Sequence, residues 1–217
     1  MEKLLFYLIA VLPGLAIAAY IYFRDKNEPE PIKLILFSFL LGLICFGVNT
    51  LLDSSLTSLG VGMGSLIARA FIEEVCIFLV MRLVIYPNKN FNEPLDGIVY
   101  TVMVAMGFAA AKNIYLINTS GDSHLILPML TTIIAHAAYA ALMGYLLGKA
   151  KFMKQNESWY VIAALVFATL FHIVYDVVQL LSAMSGMWIG TAAALIIIIV
   201  LSKQAIDTYQ KASTLKG

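Results

Sequence analysis

Seven long apolar segments occupy most of the chain and leave only short polar connections between them. Each segment is long enough to cross a hydrocarbon core of roughly 30 Å. Because lipid offers the backbone no hydrogen-bond partners, each segment must be a helix. The sequence therefore predicts an all-α, polytopic membrane helix bundle of about seven transmembrane helices, at residues 4–23, 33–52, 65–86, 95–118, 125–148, 158–182 and 187–203.

The composition agrees with a membrane protein and argues against other classes. Of the 217 residues, 61% are hydrophobic and 12% are charged, which is roughly half the charged share of a soluble domain. This length suits one integral membrane domain over residues 1–217. The net charge of +1, with no basic patch outside the short connections, argues against a nucleic-acid partner. Cys45 and Cys76 lie in apolar segments and are interpreted as small core residues.

The distribution of lysine and arginine predicts the orientation of the bundle. These residues flank the first, third and fifth connections and the carboxyl-terminal tail, whereas the second, fourth and sixth connections contain none. By the positive-inside rule, the amino terminus faces outward and the carboxyl terminus faces the cytoplasm. The first segment is interpreted as a retained helix and not as a signal peptide, because its apolar run is long for a cleaved signal.

Two adjacent glutamates, Glu73 and Glu74, lie inside the third apolar segment. A carboxylate at membrane depth is costly, so it normally faces the bundle interior and serves a function. At about 1.5 Å per helical residue, the predicted orientation places the intramembrane ionisable groups at similar depths, roughly 9 to 17 Å from the outer boundary. The others at this depth are Lys112, His136, His172 and Asp176.

The spacing of these residues leaves functional and structural interpretations open. His172 and Asp176 are four residues apart and share a helix face, a spacing that lets both hold one metal or lets the carboxylate orient the imidazole. Arg69 and Glu73 have the same spacing and form an ion pair in the structural interpretation. His136 alone would be a hydrogen-bonded packing residue. The shared depth of all these groups favours one functional site over separate packing roles.

Several motifs, taken together in this order, are specific: Phe71-Ile72-Glu73-Glu74, Asp96-Gly97-Ile98-Val99-Tyr100, Asn113-Ile114, His136 and His172-Ile173-Val174-Tyr175-Asp176. With these motifs the chain resembles, over nearly its whole length, the PrsW family of intramembrane metalloproteases. It resembles the CAAX prenyl protease superfamily more distantly.

The resemblance implies a membrane-embedded endopeptidase in the bacterial plasma membrane, with a zinc-like divalent metal. The implied substrate is a single-span membrane protein such as an anti-sigma factor, cut near the extracytoplasmic side. The implied catalytic residues are Glu73, Glu74 and His172, with one glutamate as the general base. The implied metal ligands are Glu74, His136, His172 and Asp176. In a metal-free alternative, a glutamate and a histidine activate the water while His172 and Asp176 serve the oxyanion.

Two positions depart from the family pattern. The family usually reads Glu-Glu-x-x-Lys and Phe-x-x-x-Glu-Asn. This chain has Ile77 in place of the lysine of the first pattern and Lys112 in place of the glutamate of the second, before Asn113. Lys112 is therefore neutral, or pairs with Glu73 or Glu74, or marks a site without metal. In one interpretation, Lys112 supplies from a neighbouring helix the cation that Ile77 does not. Two other functions stay open: an inactive relative that binds transmembrane helices, and a proton-coupled carrier.

Overall fold

The structure, a computed structural model, describes residues 2–24, 30–56, 62–120 and 126–185, with residues 196 and 200. Within these ranges it has six α-helices and no strand, in agreement with the all-α prediction. The helices are α1 (Glu2–Arg24), α2 (Ile32–Leu56), α3 (Met63–Val80), α4 (Pro94–Ser120), α5 (Ile126–Phe152) and α6 (Glu157–Ser185). A π-helical turn, Met81–Ile85, continues α3.

With the π-helical turn counted as part of α3, the six helices begin and end within a few residues of the first six predicted segments. Four stretches are long and apolar enough to cross a membrane: Ile32–Asp53, Pro94–Thr119, Ile126–Phe152 and Lys154–Leu181. The apolar stretch of α1, Leu4–Tyr20, is shorter, and α3 carries two glutamates and an arginine. The seventh predicted segment, 187–203, lies outside the described residues apart from 196 and 200.

Helix α4 lies at the centre of the bundle. Of its most apolar stretch, 89% is buried, compared with 28% for α2. It packs against α1, α2 and α5, while α6 packs against α3 and α5. Since α4 contacts protein on most sides, its side chains are shielded from lipid, whereas α2 presents most of its apolar surface outward.

Glycines let α4 approach its neighbours backbone to backbone. A Cβ atom on Gly97 would collide with the carbonyl oxygen of Gly144 on α5, and one on Gly107 would collide with that of Phe39 on α2. In membranes, where no hydrophobic driving force acts between helices, small residues at such crossings let the helices pack closely. These contacts fix the position of α4, which carries Lys112.

The start of α4 is defined by local chemistry. Pro94 is the first helical residue, where a missing N–H costs no helical hydrogen bond. The carboxylate of Asp96 accepts hydrogen bonds from the backbone N–H groups of Asn92 and Glu93 at 2.7 and 2.8 Å. These contacts satisfy donors that a helix start otherwise leaves unpaired.

Basic residues of the fifth connection meet Arg82, near the end of the third segment, at one end of the bundle. Lys151 donates to the backbone carbonyl of Tyr86 at 2.5 Å. Arg82 and Lys154 both pair with Glu157, at 3.7 and 3.2 Å. This is the end that the lysine and arginine distribution assigns to the cytoplasm, and the assignment itself stays a prediction.

The two cysteines lie between α2 and α3. Both are free and buried, and the thiol of Cys45 donates to the backbone carbonyl of Cys76 at 3.4 Å. The interpretation of these cysteines as small core residues is therefore confirmed.

Candidate metal centre

Three residues from three helices meet in the bundle interior: Glu73 on α3, His136 on α5 and His172 on α6. One ligand atom from each lies within 4.8 Å of the other two. The Oε2 atom of Glu73 is 3.6 Å from Nε2 of His136 and 3.8 Å from Nε2 of His172. All three side chains are buried. In the part of the chain that the structure describes, this is the one group of three or more such side chains arranged to hold a metal.

The donor set fits a zinc-like divalent ion. Ligand atoms about 2.0–2.2 Å from a tetrahedral zinc lie roughly 3.3–3.5 Å from one another, and the observed separations of 3.6 and 3.8 Å are close to this range. Two imidazole nitrogens and one carboxylate oxygen, with a fourth position left open, form a set known from catalytic zinc sites. The three residues can therefore hold the ion that the resemblance implies.

Glu74 lies behind one of these histidines. Its Oε1 atom is 2.7 Å from Nδ1 of His172, and both side chains are almost fully buried. Because the Glu74 carboxylate lies at Nδ1, the other ring nitrogen, Nε2, is the one that faces Glu73 and Asp176. A carboxylate in this position orients a metal-binding imidazole and raises its basicity. The Oδ2 atom of Asp176 is 3.6 Å from the same Nε2 atom.

The two glutamates therefore have different surroundings. Successive residues of a helix point about 100° apart, so Glu73 faces the pair of histidines while Glu74 reaches only His172. The family resemblance implied Glu74 among the metal ligands, whereas the three-residue group contains Glu73.

Lys112 forms an ion pair with Glu73. Its Nζ atom is 2.7 Å from both Oε1 and Oε2. The sequence left several alternatives open for Lys112, and the structure has the one in which it pairs with Glu73. Ile77 is buried in the apolar core, so the cation beside Glu73 comes from α4 and not from the next turn of α3. Asn113 donates to the backbone carbonyl of Met129 at 3.3 Å, which ties α4 to α5 beside the site.

Arg69 forms an ion pair with Asp53 and not with Glu73, the partner that its spacing along the helix suggested. Its Nε atom is 2.9 Å from Oδ1 of Asp53 on α2. An ion pair between Arg69 and Glu73 was one interpretation of the sequence, but Glu73 is paired with Lys112.

Tyr139 lies at the site but was not among the residues predicted from the sequence. Its ring stacks on the imidazole of His172, with centroids 4.7 Å apart and planes 20° apart. It also meets His136 edge to face at 5.6 Å. Its position three residues after His136 was the available signal, since such residues share a helix face.

A cavity of about 680 Å³ reaches this centre. Its wall includes Met63 at the start of α3, together with Glu73, Lys112 and Asp176, but neither histidine. Water or a peptide segment in the cavity would therefore contact the carboxylates and the ammonium group, with the imidazoles behind them. This arrangement can bring a polarised water and a carbonyl group together away from lipid.

Comparison with known proteins finds similar sequences over most of the chain. The sequence profile of the PrsW family of intramembrane metalloproteases matches residues 30–202, which contain all the site residues. The chain is 33% identical to Protease PrsW of Bacillus subtilis, over 82% of this chain and 83% of that protein. It is 31% identical to Protease PrsW of Geobacillus kaustophilus over 83% and 82%, respectively. The corresponding Clostridioides difficile protein is 28% identical over 96% and 92%.

No solved structure gives a significant match. The profile match and the identity with these proteases extend over most of the chain. The chain is thus a multi-pass membrane protein that belongs to the PrsW family of intramembrane metalloproteases, which are peptide-bond hydrolases.

Proposed function

We propose that this chain is an intramembrane endopeptidase that hydrolyses a peptide bond of a membrane-tethered protein near the extracytoplasmic face. The observation that carries this proposal is the buried meeting of Glu73, His136 and His172 beside a cavity. Peptide hydrolysis needs a polarised carbonyl, an activated water and an acceptor for its proton. Each requirement has a candidate group at this centre.

In this mechanism, Glu73, His136 and His172 would hold a zinc-like ion, which would supply Lewis-acid polarisation of the water and the substrate carbonyl. Glu74 fixes the ring of His172 through the 2.7 Å hydrogen bond to Nδ1. Asp176 accepts the proton of the attacking water, because its carboxylate lines the cavity and lies 3.6 Å from Nε2 of His172. The general base is then Asp176, whereas the sequence suggested one of the glutamates.

The extracytoplasmic location is proposed from two observations. The cavity wall includes Met63, Leu116 and Leu180, near the start of α3 and the ends of α4 and α6. The opposite end of the bundle carries the cluster of Lys151, Arg82 and Lys154, which the positive-inside rule places in the cytoplasm. The substrate class, a single-span protein such as an anti-sigma factor in a bacterial plasma membrane, comes from the family resemblance.

The test uses the purified full chain in proteoliposomes with a tagged single-span reporter protein. We expect the wild type to cleave the reporter and Glu73→Gln to lose roughly 100-fold or more of the rate, since metal and charge are both lost. Glu157→Gln is the matched control, because Glu157 lies in the basic cluster at the other end. Equal cleavage by Glu73→Gln and wild type would reject the site.

The same experiment separates the other interpretations. Mapping the cut within the reporter tests the extracytoplasmic location, and a cut on the cytoplasmic side of the reporter's span would contradict it. Capture of the reporter without cleavage by wild type would identify an inactive relative that binds transmembrane helices. A proton flux without reporter cleavage would identify the carrier.

A further inference from the structure

The ammonium group of Lys112 contacts Oε2 of Glu73, the carboxylate oxygen that faces both histidines. Nζ is 2.7 Å from Oε2 of Glu73, and the same Oε2 atom is 3.6 Å from His136 and 3.8 Å from His172. A zinc-like ion held by these three residues would lie about 2 Å from Oε2. The ion and the ammonium group would then be only a few ångströms apart.

The pairing has a clear electrostatic reason. Only 9% of the Glu73 side chain is exposed, and a buried carboxylate without a partner is strongly destabilising. Lys112 supplies the positive charge that a metal ion would otherwise supply. Two cations bound to one carboxylate at this distance repel each other strongly where water is largely excluded. The ion and the ammonium group are therefore alternative partners of Glu73.

The cavity gives Lys112 somewhere to move. The lysine side chain is 33% exposed, and it lines the cavity together with Asp176. A shift of Nζ from Glu73 into this cavity would take the charge away from the metal position without moving it into lipid.

We propose that Lys112 is a tethered counter-cation of the metal centre, and that a metal ion binds to Glu73, His136 and His172 only after the ammonium group leaves Glu73. The inference rests on the metal centre of the proposed function. Its consequence is that Lys112 lowers the metal affinity of this chain, so that occupancy responds to the metal supply.

The test measures the zinc affinity of the detergent-purified full chain by competition with a chelating dye, at one fixed pH. Lys112→Met, which removes the charge, should bind zinc at least about tenfold more tightly than wild type, as expected from the lost repulsion. Lys112→Arg, which keeps the charge, should stay close to wild type. Lys154→Met is the matched control, because Lys154 is an exposed lysine at the other end of the bundle. An affinity of Lys112→Met equal to or below that of wild type would overturn the inference.

A second variant guards against misfolding, since Lys112→Met leaves Glu73 without its partner. Lys112→Gln keeps a hydrogen-bond donor and removes the charge, so it should show the same gain. Adding Glu73→Gln to either variant should abolish the gain.

The outcomes separate this inference from the proposed function. If wild type cleaves the reporter and binds zinc as tightly as both uncharged variants, the inference fails and the protease stands. If no variant binds zinc, the metal centre and the inference fail together.

Discussion

The Nδ1 atom of His172 lies 2.7 Å from Oε1 of Glu74, and both residues are shielded from solvent and lipid by the surrounding helices. This hydrogen bond fixes which imidazole nitrogen faces the centre. The two adjacent glutamates have different partners, since Glu73 faces both histidines and Glu74 contacts His172.

Replacing Glu74 should therefore weaken the centre without removing it. We expect Glu74→Gln to lower both zinc affinity and reporter cleavage by about 10- to 100-fold, the usual effect of losing a carboxylate that orients a metal-binding histidine. Dye competition and proteoliposome cleavage measure the two effects. Complete loss of zinc binding, as expected for Glu73→Gln, would make Glu74 a direct ligand instead.

Asp176→Asn should separate catalysis from metal binding. The amide keeps the size of the side chain but cannot take up a proton, so cleavage should fall by roughly 100-fold or more. Zinc affinity should change by only a few-fold, because the three proposed ligands are untouched. If zinc affinity falls as far as the cleavage rate does, Asp176 is a ligand and not the base.

Removal of metal provides a direct check. Dialysis of the purified chain against a strong chelator should abolish cleavage, and added zinc should restore it in wild type. Restoration should fail in Glu73→Gln, because the carboxylate ligand is gone. Undiminished cleavage by a chain shown to contain no metal would favour the metal-free alternative.

The sequence was sufficient to find the six helices that the structure describes, but not to predict which side chains meet between them. Hydropathy locates a helix such as α4 because lipid imposes both its length and its internal hydrogen bonding. Which side chains meet depends on the rotation of each helix and on its neighbours. That Glu73 faces His136 while Glu74 does not follows from the rotation of α3, and no single-sequence pattern reports it.

The sequence also did not show which ion pairs form between helices. Spacing along α3 suggested Arg69 for Glu73, but tertiary packing brings Lys112 to Glu73 and Asp53 to Arg69. The meeting of Glu73, His136 and His172 at one level of the bundle could be predicted, because helical rise along each segment sets that level. Tyr139 was missed because an aromatic residue within an apolar helix resembles ordinary core.

The stacking of Tyr139 on His172 should matter through its ring and not through its hydroxyl group. Tyr139→Phe should keep cleavage and the thermal unfolding midpoint near wild type. Tyr139→Leu loses an aromatic pair worth about 0.5–1.5 kcal/mol, so it should unfold at a lower temperature and bind zinc less tightly. Equal zinc affinity of the Leu and Phe variants would mean that the ring does not position His172.

The close crossing of α4 and α5 should be intolerant of a methyl group. Gly97→Ala would place Cβ against the carbonyl oxygen of Gly144, and such overpacking typically costs about 1–3 kcal/mol. Gly47→Ala on α2 is the matched control, because its Cβ would meet nothing within 4 Å and alanine favours helix. Thermal unfolding in detergent should show a lower midpoint for the first variant only.

The charged groups on the inner wall of the cavity also affect which molecules can approach the histidines. Glu73, Lys112 and Asp176 all carry formal charge in their ordinary states and line the approach. A lipid acyl chain that entered there would displace water from these charged groups without replacing its hydrogen bonds, which is energetically unfavourable. Water and peptide carbonyls can solvate the same wall. These three charged groups therefore make the inner part of the cavity more favourable for water and peptide carbonyls than for hydrocarbon.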